Sequence, residues 1–232
     1  MSKLAILQSN YIPWKGYFDL IAAVDEFIIY DSVQFTKNDW RNRNKIKTPN
    51  GLQWLSIPVG KDIKRLIHEV VVSDAAWQRK HWASLQQNYS RAASFDDLAG
   101  ELERLYLGAQ YNSLSAINRV FIDFVCDYLG VNTKITDARN YTLSGDPTER
   151  LVGLCQQAGA SEYVTGPAAR AYLDEQVFAR AGISLHWFNY DGYPEYNQLF
   201  GEFEHHVSVL DLLLNCGPSS GHYMKCLRAS GA

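Results

Sequence analysis

Apolar positions open the chain in one tight block. Residues 3–8, KLAILQ, are apolar and bounded by Ser9-Asn10, which predicts a buried strand. A turn with one Pro and one Gly follows over residues 11–16. Helical spacing then runs through YFDLIAAV, residues 17–24, and a second strand through FIIYDSVQF, residues 27–35. Strand, short helix, strand implies a parallel pair with a right-handed crossover.

Residues 36–54 break this pattern: they are polar, basic and rich in Asn, and poorly suited to a core. Strands are predicted to resume over 55–59 and 67–73. The middle is helical by spacing, over 75–90, 95–107 and 113–129, with Ser113 as N-cap and Gly130 as the stop of the third. Alternation then returns: strand 134–140, helix 147–159 opened by Pro147, strand 162–166, helix 167–182, strand 183–191 and a last helix over 208–215. The expected fold is α/β, a mainly parallel Rossmann-like sheet with a helical insertion or side layer at about 75–130. One domain is expected over 1–218, with a tail over 219–232 ordered only in part.

Composition narrows the class. The 232 residues are 47% hydrophobic and 20% charged, with 22 basic against 25 acidic side chains and a net charge of −3. A disordered chain would be less apolar, and a bulk-charge nucleic-acid binder would be basic, so no nucleic-acid partner is expected. No apolar run approaches the ~20 residues of a membrane span, so no membrane partner is expected either. The first apolar segment is too short for a signal peptide, and a cytoplasmic location is expected. Cys126, Cys155, Cys216 and Cys226 are scattered, which favours thiols over disulfides. No metal is expected: no Cys or His spacing suits one, and the neighbours His205 and His206 point apart on a regular element. The oligomeric state is not legible.

Ligands of open parallel sheets bind beyond the carboxyl ends of the strands. The first such end carries Gln8 and Asn10, and the helix start at Gly16 and Tyr17 offers N–H groups that favour an anion. The second end carries Asp31, Gln34 and Lys37, and a later one Thr165 and Gly166. In Trp40-Arg41-Asn42-Arg43-Asn44-Lys45, an extended chain puts Arg41 and Arg43 on one face and Asn42 and Asn44 on the other. Arg forks suit phosphate or carboxylate, and Asn both donates and accepts; a solvated loop explains the string equally well. His81, set among aromatic residues, is either a general base or a structural histidine. Cys155 reads as core, and Cys216 lacks a visible activating base. The aromatic run over 187–203, with Tyr196 and Gln198, suits sugar hydroxyls and ring faces, or simply a packed loop.

Together these segments resemble the WbqC-like family. The likeness runs from Leu4 to about Gly217 through LAILQSNYIPWKGYFDLIAAVDEFIIYDSVQF, WRNRNKI, WLSIPV, KHWASLQQNY, TERLVGLCQQAGASEYVTGP, AYLDE, YNQLFGEF and SVLDLLLNCG. Two places depart from it: Ser9-Asn10 stands where Gln-Pro is expected, and Glu204-His205-His206 where a Pro is expected. The resemblance implies a soluble bacterial protein encoded among genes for surface polysaccharides or peptide natural products. It implies a role in decorating an amino sugar with an acyl or aminoacyl group. The opening segment is also similar in fold to nucleotidyltransferase-like and pantoate-ligase-like proteins, but their His-x-Gly-His is absent from Trp14-Lys15-Gly16-Tyr17-Phe18.

The leading expectation is therefore an enzyme that transfers an acyl or aminoacyl group to the amine of a nucleotide-linked amino sugar. His81 or Asp31 would act as base, Arg41, Arg43 and the Gly16 helix start would hold phosphates, and Asn42, Asn44 and Thr165 would supply hydrogen bonds. The co-substrate would be ATP or an acyl or aminoacyl thioester, the latter delivered by an acyl-carrier or peptidyl-carrier protein. The alternatives are an ATP-dependent ligase or nucleotidyltransferase, and a non-catalytic scaffold of a biosynthetic complex.

Overall fold

The computed structural model describes residues 2–230. In chain order the strands are β1 (Lys3–Leu7), β2 (Glu26–Ile29), β3 (Arg43–Thr48), β4 (Gly51–Ser56), β5 (Lys134–Asp137), β6 (Glu162–Thr165) and β7 (Ser184–Trp187). The helices are α1 (Lys15–Ala22), α2 (Trp77–Tyr89), α3 (Phe95–Leu107), α4 (Leu114–Leu129), α5 (Pro147–Gln157), α6 (Glu175–Arg180), α7 (Val209–Cys216) and α8 (Lys225–Ser230). Among the described residues no helix is long and apolar enough to cross a membrane.

Five strands form one sheet in the order β5-β2-β1-β6-β7, and every pair in it is parallel. The chain builds outward from β1 through β2 to β5, then crosses to the other side of β1 with β6. That reversal is a topological switch point, and it opens a crevice beyond the carboxyl ends of β1 and β6. The expected Rossmann-like α/β fold is the fold observed.

Strand alternation divides the core in two. Ala5, Phe27 and Ile29 face α1 and the inserted helices, packing with Phe18, Phe121 and Val125. Leu4, Ile6 and Ile28 face α5 and α6, packing with Leu154, Tyr163 and Phe178. Local signals end the helices as expected. Ser113 caps α4, and Gly130 stops it in the left-handed conformation at φ 68°. Asp146 and Glu149 close a capping box on α5, with Pro147 in its first turn.

Four local expectations are corrected. Residues 43–56 form an antiparallel hairpin, where residues 36–54 read as poorly suited to a core and a strand is expected only from 55. Polar Asn44 and Lys47 are buried in the hairpin beside Ile46 and Leu55, because both find hydrogen-bond partners elsewhere in the fold. Residues 67–73 form a single 3-10 turn (Ile67–Glu69) and an isolated bridge from Val71 to Ser113, not a strand. The helix expected over 167–182 is broken: Pro167–Ala171 makes a 3-10 turn, and Asp174 starts α6 afresh by accepting the Gln176 N–H. The strand expected over 183–191 stops at Trp187. The tail expected from 219 has residues 219–230 folded onto the core; 231 and 232 lie outside the described residues. Met224 is fully buried, and the Asp19 carboxylate accepts the backbone N–H groups of Lys225 (3.0 Å) and Cys226 (2.7 Å) at the start of α8.

Candidate functional site

The loop from β1 to α1 forms the floor of the switch-point crevice, and other elements hold it rigid. The Tyr11 N–H donates to the Trp40 carbonyl (3.0 Å), and the Val209 N–H donates to the Pro13 carbonyl (2.9 Å). Ile12 sits at φ 37°, a strained conformation for a β-branched residue. Asn44, 2% exposed, pins it there: its amide donates to the carbonyls of Ile12 (2.8 Å) and Tyr11 (3.3 Å).

At the end of β1, the Gln8 and Asn10 side-chain oxygens both accept from Arg41. Arg41 Nη2 lies 3.2 Å from Gln8 Oε1, and Nη1 donates to Asn10 Oδ1. Asp39 stands 3.8 Å from the same guanidinium, whose side chain is 15% exposed. Below this cluster, Asp31 is 1% exposed and accepts from the Ser9 N–H (2.8 Å), the Ser9 hydroxyl (2.7 Å) and the Ser115 hydroxyl. Asn118 completes the network by donating to Ser9 Oγ and to the Arg41 carbonyl, each at 2.9 Å. Asp31 therefore ties β2, β1 and α4 beneath the polar floor. Its accessible side belongs to a separate cleft at the ends of β2 and β5, shared with Arg119, Asp137 and Arg139.

Aromatic rings wall the crevice. The Trp14 indole folds back over Gly16, where a Cβ would lie 2.3 Å from its ring. It stacks on His206 (5.6 Å) and meets Tyr190 (5.4 Å) and Tyr193 (5.6 Å). Tyr190 in turn packs on Gly166, closing the gap between the β1 and β6 ends. Two concavities flank this wall. One, about 230 Å³, is lined by Asn10, Pro13, Trp14, Trp40, Asn44 and His206. The other, about 370 Å³, is lined by Trp14, Tyr190, Asp191, Gly192, Tyr193, His205 and His206. His206 Nδ1 lies 3.4 Å from the Glu204 carboxylate.

Of the residues singled out from the sequence, Gln8, Asn10, Arg41 and Asn44 come together here. Tyr17 supports them from below, donating to the Gln8 carbonyl (3.1 Å). Gly16 starts α1 but lies under the Trp14 indole. Thr165 is buried at the end of β6, and Gly166 contacts Tyr190. Asn42 braces the hairpin by donating to the Ile57 carbonyl (2.9 Å). Arg43 diverges from Arg41 and stacks on Trp54. Gln34 and Lys37 are exposed, and Gln34 donates to the Ile63 carbonyl. Tyr196 and Gln198 belong to a buried network, donating to Asp211 at 2.8 Å each. Burial raises the Asp211 carboxyl above its ordinary value despite these donors.

His81 is far from solvent: its ring meets Trp77 and its Nδ1 pairs with the Tyr11 hydroxyl (2.9 Å). Burial lowers its pKa to about 4, so the imidazole is neutral at pH 7. The cysteines form no disulfide. Burial pushes their thiols up, to about 12 for Cys126, Cys155 and Cys226 and about 11 for Cys216, so none is an activated thiolate. Among the described residues no three His, Cys, Asp or Glu side chains converge to hold a metal.

Sequence reasoning reached Tyr190 only within the aromatic run and weighed His206 only as a metal ligand, and it missed Trp14, Trp40 and Lys15. Lys15 is buried, donates to the Pro194 carbonyl (3.0 Å) and lies over the rings of Tyr193, Tyr196 and Phe203. Burial lowers its pKa to about 8, opposed by Cys216, Asp19, Asp211 and Glu195. The available signal was the aromatic run at 187–203, which supplies Tyr190 to the crevice rather than Tyr196.

A parallel sheet that reverses at its first strand, with polar side chains and aromatic walls at the reversal, defines a Rossmann-like α/β protein with a crevice at its switch point. The chain belongs to the WbqC-like protein family, whose model matches residues 8–223. It is 51% identical over 232 residues to the uncharacterized protein Rv1507c of Mycobacterium tuberculosis (strain ATCC 25618 / H37Rv), covering 98% of this chain and the full length of that protein. No solved structure matches.

Proposed function

We propose that the protein is a biosynthetic enzyme that transfers an acyl or aminoacyl group to the amine of a nucleotide-linked amino sugar held in the switch-point crevice. The observation that carries this reading is the Arg41 guanidinium, fixed by Gln8 and Asn10 beside a cleft walled by Trp14 and Trp40. A guanidinium has five donors, and those not used by Gln8 and Asn10 suit phosphate. Indole faces suit the apolar face of a sugar ring.

In the proposed step the sugar amine attacks the carbonyl carbon of a thioester. The C–N bond forms, the C–S bond breaks, and the proton lost by the amine ends on the departing thiol. His206, oriented by Glu204 and shared by both concavities, is the group suited to carry that proton. His81 is too deeply buried for this role. The ATP-dependent alternative loses support because the Trp14 indole covers Gly16, where phosphates would meet the start of α1.

The test is incubation with nucleotide-linked amino sugars and acyl or aminoacyl thioesters, read by mass spectrometry. The expected result is an amide-linked product that His206→Ala reduces about 100-fold or more. Release of AMP or pyrophosphate from ATP during product formation would instead establish the ligase chemistry. Ligand binding with no turnover of any donor would establish the scaffold reading.

A further inference from the structure

The outer face of the hairpin carries a second recognition feature that the crevice chemistry leaves unused. Trp40 and Trp54 are 40% and 41% exposed, with ring centroids 5.5 Å apart. Lys45, opposite Trp54 in the strand register, holds its ammonium 5.2 Å from the Trp54 ring and 5.8 Å from the Trp40 ring. The Arg43 guanidinium lies 4.2 Å from the Trp54 ring on the same hairpin. Two acids stand nearby: Asp39 lies 3.8 Å from Arg41 and within electrostatic reach of Arg43, and Glu204 lies 3.4 Å from His206 and within electrostatic reach of Lys45. Arg43 donates from Nη2 to the Asn38 carbonyl, but its Nε is shielded from solvent and has no hydrogen-bond partner among the described residues. Trp40 is also a wall of the crevice, so platform and crevice are continuous.

Exposed indoles beside two cations match a flat ring that carries anionic groups. A sugar phosphate alone needs the crevice and not the outer tryptophan. We infer that the outer face of β3 and β4 is a nucleoside diphosphate subsite, in which Trp54 and Trp40 stack the base while Arg43 and Lys45 hold the diphosphate. This placement rests on the proposed function for the position of the sugar, which would lie on the crevice side of Trp40. Base–aromatic stacking tolerates every base, because each has a π-face; the face alone therefore selects nucleotides as a class.

The test is titration of the intact protein with UDP, dTDP, GDP and ADP, and separately with glucosamine 1-phosphate, followed by tryptophan fluorescence and calorimetry. At least one nucleoside diphosphate is expected to bind saturably. Trp54→Ala should weaken it about tenfold or more, and Trp54→Phe should recover most of the loss. Lys45→Gln should weaken it severalfold and reduce its salt dependence. Nucleoside diphosphate affinity unchanged in Trp54→Ala and Lys45→Gln would overturn the subsite, as would failure of all four to bind. If glucosamine 1-phosphate binds while the four nucleotides do not, the subsite falls and the crevice reading stands. If the nucleotides bind through Trp54 while glucosamine 1-phosphate does not bind at all, the subsite stands and the crevice reading falls.

Discussion

Arg41 and His81 show how one residue type acquires its role from its neighbours. Arg41 has two planar acceptors in place, so its guanidinium is held before any ligand arrives. Lysine offers a point charge without the fork. Arg41→Lys should therefore weaken binding of a phosphorylated amino sugar about tenfold, with little change in unfolding midpoint, as calorimetry and thermal denaturation would record. His81 is the contrary case. Its pKa is about 4 in the folded state against 6.5 unfolded, so between those values the unfolded chain binds the extra proton. Its contribution to stability is complete above 6.5 and is lost as pH falls toward 4. This amounts to about 2 kcal/mol between pH 7 and pH 5. His81→Phe should remove that increment from the pH dependence of denaturant unfolding and leave ligand binding intact. An unchanged slope would refute the assignment of His81 to the core. Arg41 could be picked out from the sequence because Arg and Asn alternate over residues 41–44 and an Arg fork suits phosphate or carboxylate. The burial of His81 could not, because it depends on Tyr11 and Tyr106 arriving from distant segments.

At the scale of elements, the crevice depends on a strained loop and on the hairpin that restrains it. Asn44→Leu keeps the size of the side chain but leaves the Ile12 and Tyr11 carbonyls without their donor. The expected cost is about 2–3 kcal/mol of unfolding free energy, with a further loss of ligand affinity as Ile12 relaxes. Gly16→Ala tests the opposite wall. A Cβ there would lie 2.3 Å from the Trp14 ring, so the indole must leave its stack with His206. Ligand affinity should fall several times more than the unfolding midpoint suggests; equal and small effects would show that the wall does not contact ligand. The hairpin was illegible in the sequence for a physical reason. Its buried positions mix polar Asn44, Lys47 and Thr48 with apolar Ile46 and Leu55, while Leu52 and Trp54 are exposed, so no clean apolar alternation marks the strands. The Pro49-Asn50-Gly51 turn was the readable sign. By contrast, α4 and α5 were legible because cap, apolar stripe and stop agree.

For the whole molecule, the order β5-β2-β1-β6-β7 turns a string of separated motifs into one site. The parallel alternation could be read along the chain, but the adjacency of Trp14, Tyr190 and His206 could not, since it arises from two connections, β1 to α1 and β7 to α7, folding over the same strand ends. Under the proposed function this switch-point crevice binds an anionic amino sugar through Arg41. The most direct measurement is the thermal shift of the wild type and of Arg41→Gln with glucosamine 1-phosphate and with glucosamine. At 100 times its dissociation constant a ligand adds about 2.7 kcal/mol. A clear upward shift is expected for the wild type with the phosphorylated sugar only, lost in Arg41→Gln. Equal shifts in both proteins, or an equal shift with glucosamine, would contradict it.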